Sequence, residues 1–128
     1  MKRITVEQII LIHAAVLMET GGADGVRDPG SILGFVDLSF QTAFGNELYP
    51  DVFSKAAVFA RSIMMNHAFF DGNKRTGMAV ALTFLEDNGY SFQGPKGSIE
   101  LFAVKLVVEK LDIATIAQWF KMHLISFT

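Results

Sequence analysis

The 128-residue chain has no cysteine, which excludes a disulfide framework and a thiolate zinc site. Its three histidines, His13, His67 and His123, include no close pair at metal-ligand spacing, so a histidine zinc centre is not expected either. Charged residues are scarce, at 19%, and sum to a net −2. The basic footprint that nucleic-acid binding needs is therefore missing, and no nucleic-acid partner is expected. No uncharged apolar run reaches the roughly 18 residues of a membrane span, so no membrane partner is expected. The opening Met1-Lys2-Arg3-Ile4-Thr5-Val6-Glu7 lacks the apolar stretch of a signal peptide, and the expected location is the cytoplasm. Repeats, low-complexity tracts and linkers are absent too, which leaves a single domain over residues 1–128. What is abundant is apolar: 51% of the chain is hydrophobic, with 12 phenylalanines and 6 methionines for a core of large rings and adaptable gap-fillers.

The periodicity predicts an all-α fold of about six helices. Thr5 followed three residues later by Gln8 is a capping-box signal, and Ile9, Ile12 and Val16, widened by Val6, Ile10 and Leu17, give a helical stripe. Gly21-Gly22 ends that helix. Asp28-Pro29 reads as an N-cap and first-turn proline opening a second helix through about Phe44, where Gly45-Asn46 breaks it. Pro50 opens a third, with Phe53, Ala57, Ala60, Met64 and His67 on one face. A fourth begins near Asn73, burying Met78, Ala81, Leu82 and Leu85, and stops at Asn88-Gly89. Gln93 to Gly97 is a turn. Leu101, Val104, Val108 and Leu111 suggest a fifth helix, with a strand as the alternative because of Val107-Val108. Ile113, Ile116, Phe120 and Leu124 mark a last helix.

One segment gathers chemistry: His67-Ala68-Phe69-Phe70-Asp71-Gly72-Asn73-Lys74-Arg75, a polar turn between two apolar helices. The start of the fourth helix offers backbone N–H groups without intrahelical partners, and with the helix dipole these form an anion site. Gly72 permits positive φ and close approach of a ligand. Lys74 and Arg75 place positive charge at the end of a helix where it is unfavourable unless an anion binds. Asp71 supplies a hard oxygen suited to Mg²⁺, which prefers a carboxylate together with phosphate oxygens. His67 offers an imidazole, a natural general base near neutral pH. Phosphoryl-type transfer asks for this kind of positioning and electrostatic support. Each residue also has a plainer reading: His67 as a core histidine continuing the buried face of the third helix, and Asp71-Gly72-Asn73 as a turn with an N-cap.

The same stretch resembles the signature of the Fic/Doc family, in its death-on-curing branch. The likeness extends to Ile4-Thr5-Val6-Glu7-Gln8, Gly21-Gly22, Arg27-Asp28-Pro29-Gly30 and Leu82 to Tyr90, and fades past Gly94. The resemblance implies an all-α domain with its active site between two central helices. It implies that His67 deprotonates a target hydroxyl and that Asp71 holds Mg²⁺ on the phosphates of ATP. Gly72, Asn73 and Lys74 would form the phosphate nest, Arg75 would bind phosphate, and Phe69 would anchor the loop. Adenylylating members carry a second glycine where this chain has Lys74, and a second arginine where it has Met78. In the death-on-curing branch this goes with a reversed nucleotide, which favours transfer of the terminal phosphate over transfer of AMP. The implied protein target is a translation factor, elongation factor Tu. The inhibitory Ser/Thr-to-Glu helix motif of self-restrained members is not found, so the implied inhibitor is a separate antitoxin protein. The rivals are a nucleotidyltransferase and a catalytically silent helical binding module.

Three further expectations concern the surroundings. Gln41 to Tyr49 lies where the family has a target-docking flap, and its Gly45-Asn46 suits a hairpin turn as well as an ordinary loop. His13 reads as a core or partly buried histidine on helix one. Arg27 reads as a surface residue within reach of a nucleotide, and Trp119, Phe120 and Met122 as core or an antitoxin-docking patch.

Overall fold

The computed structural model describes residues 1–128 and contains six helices and four short strands. The helices are α1 (Val6–Thr20), α2 (Pro29–Ser39), α3 (Val52–Met65), α4 (Asn73–Asp87), α5 (Ser98–Val108) and α6 (Ile113–His123). None is long and apolar enough to cross a membrane. Four begin on side-chain caps, which pair backbone N–H groups that the helix itself leaves unpartnered. Thr5 accepts from Gln8 N at 3.1 Å while the Gln8 side chain accepts from Thr5 N at 2.8 Å, completing the capping box. Asp28 caps α2, Asp51 caps α3 and Asp112 caps α6.

α3 is the central element. Most of its faces are covered: Ala56, Ala57, Val58, Phe59, Ala60, Ile63 and Met64 are all buried. α4 lies against it through Met78, Ala81, Phe84 and Leu85, while α2 and α6 pack on its other sides through Ile32, Phe35, Ile116 and Phe120. α1 and α5 reach α4. Gly77 sits at the α3–α4 crossing, where a Cβ would lie 2.9 Å from Met64 Cγ and 3.0 Å from the Ala60 carbonyl oxygen. The two helices that flank the polar turn therefore approach as closely as a bare backbone allows.

Three expectations are corrected. The second helix ends at Ser39, not Phe44, because the chain turns back as a hairpin: β1 (Thr42–Ala43) pairs antiparallel with β2 (Asn46–Glu47). Its corner is Phe44-Gly45, both at positive φ as a tight two-residue hairpin requires, one residue earlier than the Gly45-Asn46 corner. The fifth helix exists, but its buried face is Phe102, Ala103 and Leu106, whereas Leu101, Val104 and Val108 are 74%, 50% and 73% exposed. Apolar residues surround this helix almost completely, so periodicity alone does not fix its face. Leu124 leaves the last helix and opens β4 (Leu124–Ser126), which pairs antiparallel with β3 (Tyr90–Phe92) behind α4.

Lys55, on the first turns of α3, is 1% exposed. Its ammonium donates to the carbonyls of Ser39 at 2.9 Å and Tyr49 at 2.6 Å, and forms an ion pair with Glu47 at 2.9 Å. One buried cation thus holds both roots of the hairpin and its second strand. It is satisfied on all three N–H groups, as burial of a charge demands.

The Asp112 cap makes stability depend on acid. Its two hydrogen bonds from Thr115 hold its carboxyl below the ordinary value of 3.8. A carboxyl depressed in the folded state contributes above its unfolded value and loses that contribution as pH falls through the folded one. Asp112→Ala is therefore expected to lower Tm at pH 7. The gap to the parent should narrow as melts are repeated from pH 5 towards pH 2, and a constant gap across that range would contradict the assignment.

Candidate active site

The junction between α3 and α4 is built by two helix ends of opposite character. α3 stops at Met65, and His67 follows in the left-handed region at φ 48°. The Ala68 amide closes back on the Ile63 carbonyl at 3.4 Å, the long bond of a Schellman stop, in which the left-handed position usually belongs to glycine. A histidine there carries a conformational penalty of about 1–3 kcal/mol. Lys110 ends α5 in the same conformation, but as a cation that suits a helix C-terminus. At His67 the result is an exposed imidazole held over the turn. The core-histidine reading is overturned, because helix three ends before reaching this residue.

α4 starts without a side-chain cap. Gly72 takes φ 76°, and no side chain bonds the first amides. The first intrahelical bond at this end is Thr76 N to Gly72 O at 2.9 Å, so the amides of Asn73, Lys74 and Arg75 have no partner. Lys74 and Arg75 are exposed, and neither forms an ion pair. Unpaired amides, a helix dipole and two free cations converge on one spot, an arrangement that favours an anion.

The turn between these ends is rigidly held. Phe69 is fully buried and stacks on His13 with ring centroids 3.8 Å apart and planes within 7°. Burial of a ring this size is worth about 1.5–3 kcal/mol. The Asn73 side chain clasps Phe69 from both sides, accepting from its N–H at 3.0 Å and donating to its carbonyl at 2.8 Å. The Asn73 amide group is therefore spent on the loop, and only its backbone N–H faces the anion site. Asn73→Ala removes both bonds and is expected to cost about 2 kcal/mol. Urea denaturation should show a lower midpoint with an unchanged slope, and a midpoint equal to the parent's would contradict the clasp.

A second loop, residues 21–28, lines this turn from outside. Val26 and Phe69 form a β-bridge, Arg27 N donates to Ala68 O at 2.9 Å, and Phe70 N donates to Gly25 O at 3.3 Å. Asp71 is fixed at two points. Its Oδ2 accepts from Ala23 N at 3.0 Å, and its carbonyl oxygen lies 2.8 Å from His13 Nε2. A carbonyl only accepts, so that nitrogen carries the proton. Asp71 Oδ1 is left without a protein partner. No group of three acidic, histidine or cysteine side chains surrounds it. One oriented carboxylate beside an anion site fits Mg²⁺, whose remaining ligands are usually phosphate and water oxygens.

The structure thus brings His67, Asp71, Gly72, Asn73, Lys74 and Arg75 to one junction. His13, buried as expected, has a role that its lone place on an apolar face did not reveal: it supports Phe69 and Asp71 together. Arg27 is exposed, and its side chain makes no bond to the junction. A cavity of about 390 Å³ opens beside the start of α4, between α1, α4 and α5, and its walls include Lys74 and Arg75.

The family model described as Fic/DOC matches residues 3–85, a span that includes the whole junction. A protein named Toxin Doc from Mycolicibacterium smegmatis is 45% identical over 69 residues, covering 54% of this chain and 53% of that protein. A protein named Protein kinase doc from Escherichia phage P1 is 35% identical over 100 residues, covering 75% of this chain and 76% of that one. The chain therefore matches about half the length of the first relative and about three quarters of the second.

Proposed function

The chain belongs to the Fic/Doc family, and from that premise we propose that it transfers the terminal phosphate of ATP to a serine or threonine hydroxyl of a protein. The observation that carries the proposal is the exposed imidazole of His67, held in a left-handed helix stop beside three unpartnered amides and two unpaired cations. His67 takes the proton of the target hydroxyl. The hydroxyl oxygen then forms a bond to the γ-phosphorus, and the bond from that phosphorus to the β–γ bridging oxygen breaks. The electron pair leaves on ADP. Arg75 and the amides of Asn73 to Arg75 meet the charge on the transferring group, the electrostatic support such transfers depend on. Asp71 would hold Mg²⁺, which supplies charge neutralisation on the phosphates.

The side chain of Lys74 supports phosphate rather than nucleotide transfer, because a long cation beside the nest both fills space and attracts the anionic end of the ligand. The phage relative is itself named a protein kinase. The exposed edge of the β1–β2 hairpin would receive the target as an added strand. A translation factor, elongation factor Tu, is the proposed target, and a separate antitoxin the proposed restraint. The toxin name of one relative supports the latter.

The test is incubation in cell extract with ATP labelled in either the γ or the α phosphate. The γ label should reach protein and the α label should not. Transfer of the α label would establish nucleotidyl transfer instead, and transfer of neither would favour a silent binding module.

A further inference from the structure

The cavity beside α4 has a composition that the phosphate junction alone does not use. Seven of its eleven lining residues are hydrophobic, with Val16 on α1, Met78 and Leu82 on α4, and Ile99 and Ala103 on α5 forming apolar walls. Its volume of about 390 Å³ falls within the range of roughly 300–1,000 Å³ typical of small-molecule sites. Four charged residues complete the lining: Lys74 and Arg75 from the start of α4, Glu19 near the end of α1 and Glu100 in the first turn of α5. None of the four is paired, since the only ion pair in the molecule joins Lys55 to Glu47. Two cations and two carboxylates therefore border one apolar space without neutralising each other.

We propose that this cavity holds the base and ribose of the nucleoside triphosphate, with the phosphate chain leaving it past Lys74 and Arg75 towards His67. This rests on the phosphate-transfer reading and deepens it. A flat heteroaromatic ring fills the apolar walls. Ribose hydroxyls and an exocyclic amine are donors, and ionised Glu19 and Glu100 are acceptors only. The same carboxylates repel phosphate and leave the cations as the place for it. A bare polyphosphate would meet the cations but leave the walls and carboxylates without partners. His67 is not among the lining residues. With the nucleoside end in the cavity, the phosphate that extends furthest from it is the terminal one, so the direction of the ligand selects which phosphorus meets the target hydroxyl.

Calorimetric titration of the full chain with ATP and with inorganic tripolyphosphate, each with MgCl₂, tests the assignment. Val104 lines the cavity and is half exposed, so Val104→Trp fills the space without disturbing the core. ATP affinity should fall at least tenfold, with tripolyphosphate affinity held within twofold. Ala79→Leu, from the α4 wall, should give the same split. ATP affinity unchanged or tighter in both variants overturns the proposal, as does a parallel loss of both ligands. A parent chain that binds neither ligand would instead sink the phosphate junction itself.

Discussion

His67→Ala is expected to reduce phosphate transfer by about 10²–10⁴-fold, the range that a positioned general base contributes. The loss should fall on turnover. The imidazole is exposed and makes no side-chain hydrogen bond, so neither the core nor the anion site depends on it. ATP binding by calorimetry should stay within a few-fold of the parent, and the melting curve should not drop. It should rise slightly if anything, since alanine carries no bulk into the left-handed stop. Expression of the parent chain alone should slow growth, and expression of this variant should not. Transfer at the parental rate would remove His67 as the base, and loss of ATP binding together with activity would make it a ligand contact instead.

Gly77→Val is expected to lower stability by about 3 kcal/mol, at the upper end of typical overpacking penalties. The added Cβ would press on the Ala60 carbonyl oxygen, a backbone atom that cannot swing aside, and on Met64. For a chain of this size the shift corresponds to a Tm roughly 10 °C lower. Gly77→Ala should show a smaller loss, because its gain in helix propensity of about 1 kcal/mol offsets part of the clash. The functional effect is separate. Forcing α3 and α4 apart moves His67 away from the amides of α4, so activity measured well below Tm should fall in both variants. A Gly77→Ala chain that is both more stable and fully active would show that the crossing tolerates a methyl group.

Much of this architecture is written in local signals. Thr5 with Gln8, Asp28 with Pro29, and Asn88-Gly89 mark helix ends because the chemistry that satisfies a terminal amide or carbonyl lies within a few residues of it. The polar junction is legible for the same reason: base, carboxylate, glycine and cations occupy nine consecutive residues. What the sequence conceals is long-range or nearly featureless. β3 pairs with β4 across the whole of α5 and α6, and neither strand has more than three residues of pattern. Leu101, Val104 and Val108 form as good a stripe as Phe102, Ala103 and Leu106, and only the neighbours decide which is buried. His13, Glu19 and Glu100 acquire meaning from residues far along the chain, and nothing within a helical turn of them announces it. His67 was placed on a helix face because the periodicity of α3 runs on for one step beyond the point where the backbone actually turns.

The buried ammonium of Lys55 also makes the molecule self-reporting. Every other lysine is exposed. A limiting dose of an amine-reactive reagent should therefore label those side chains quickly, leaving Lys55 to react only when the β1–β2 hairpin lifts from α3. Its labelling rate, read by peptide mass spectrometry, is a clock for that opening. Slower labelling in the presence of a protein that docks on the hairpin would register its arrival without any engineered probe.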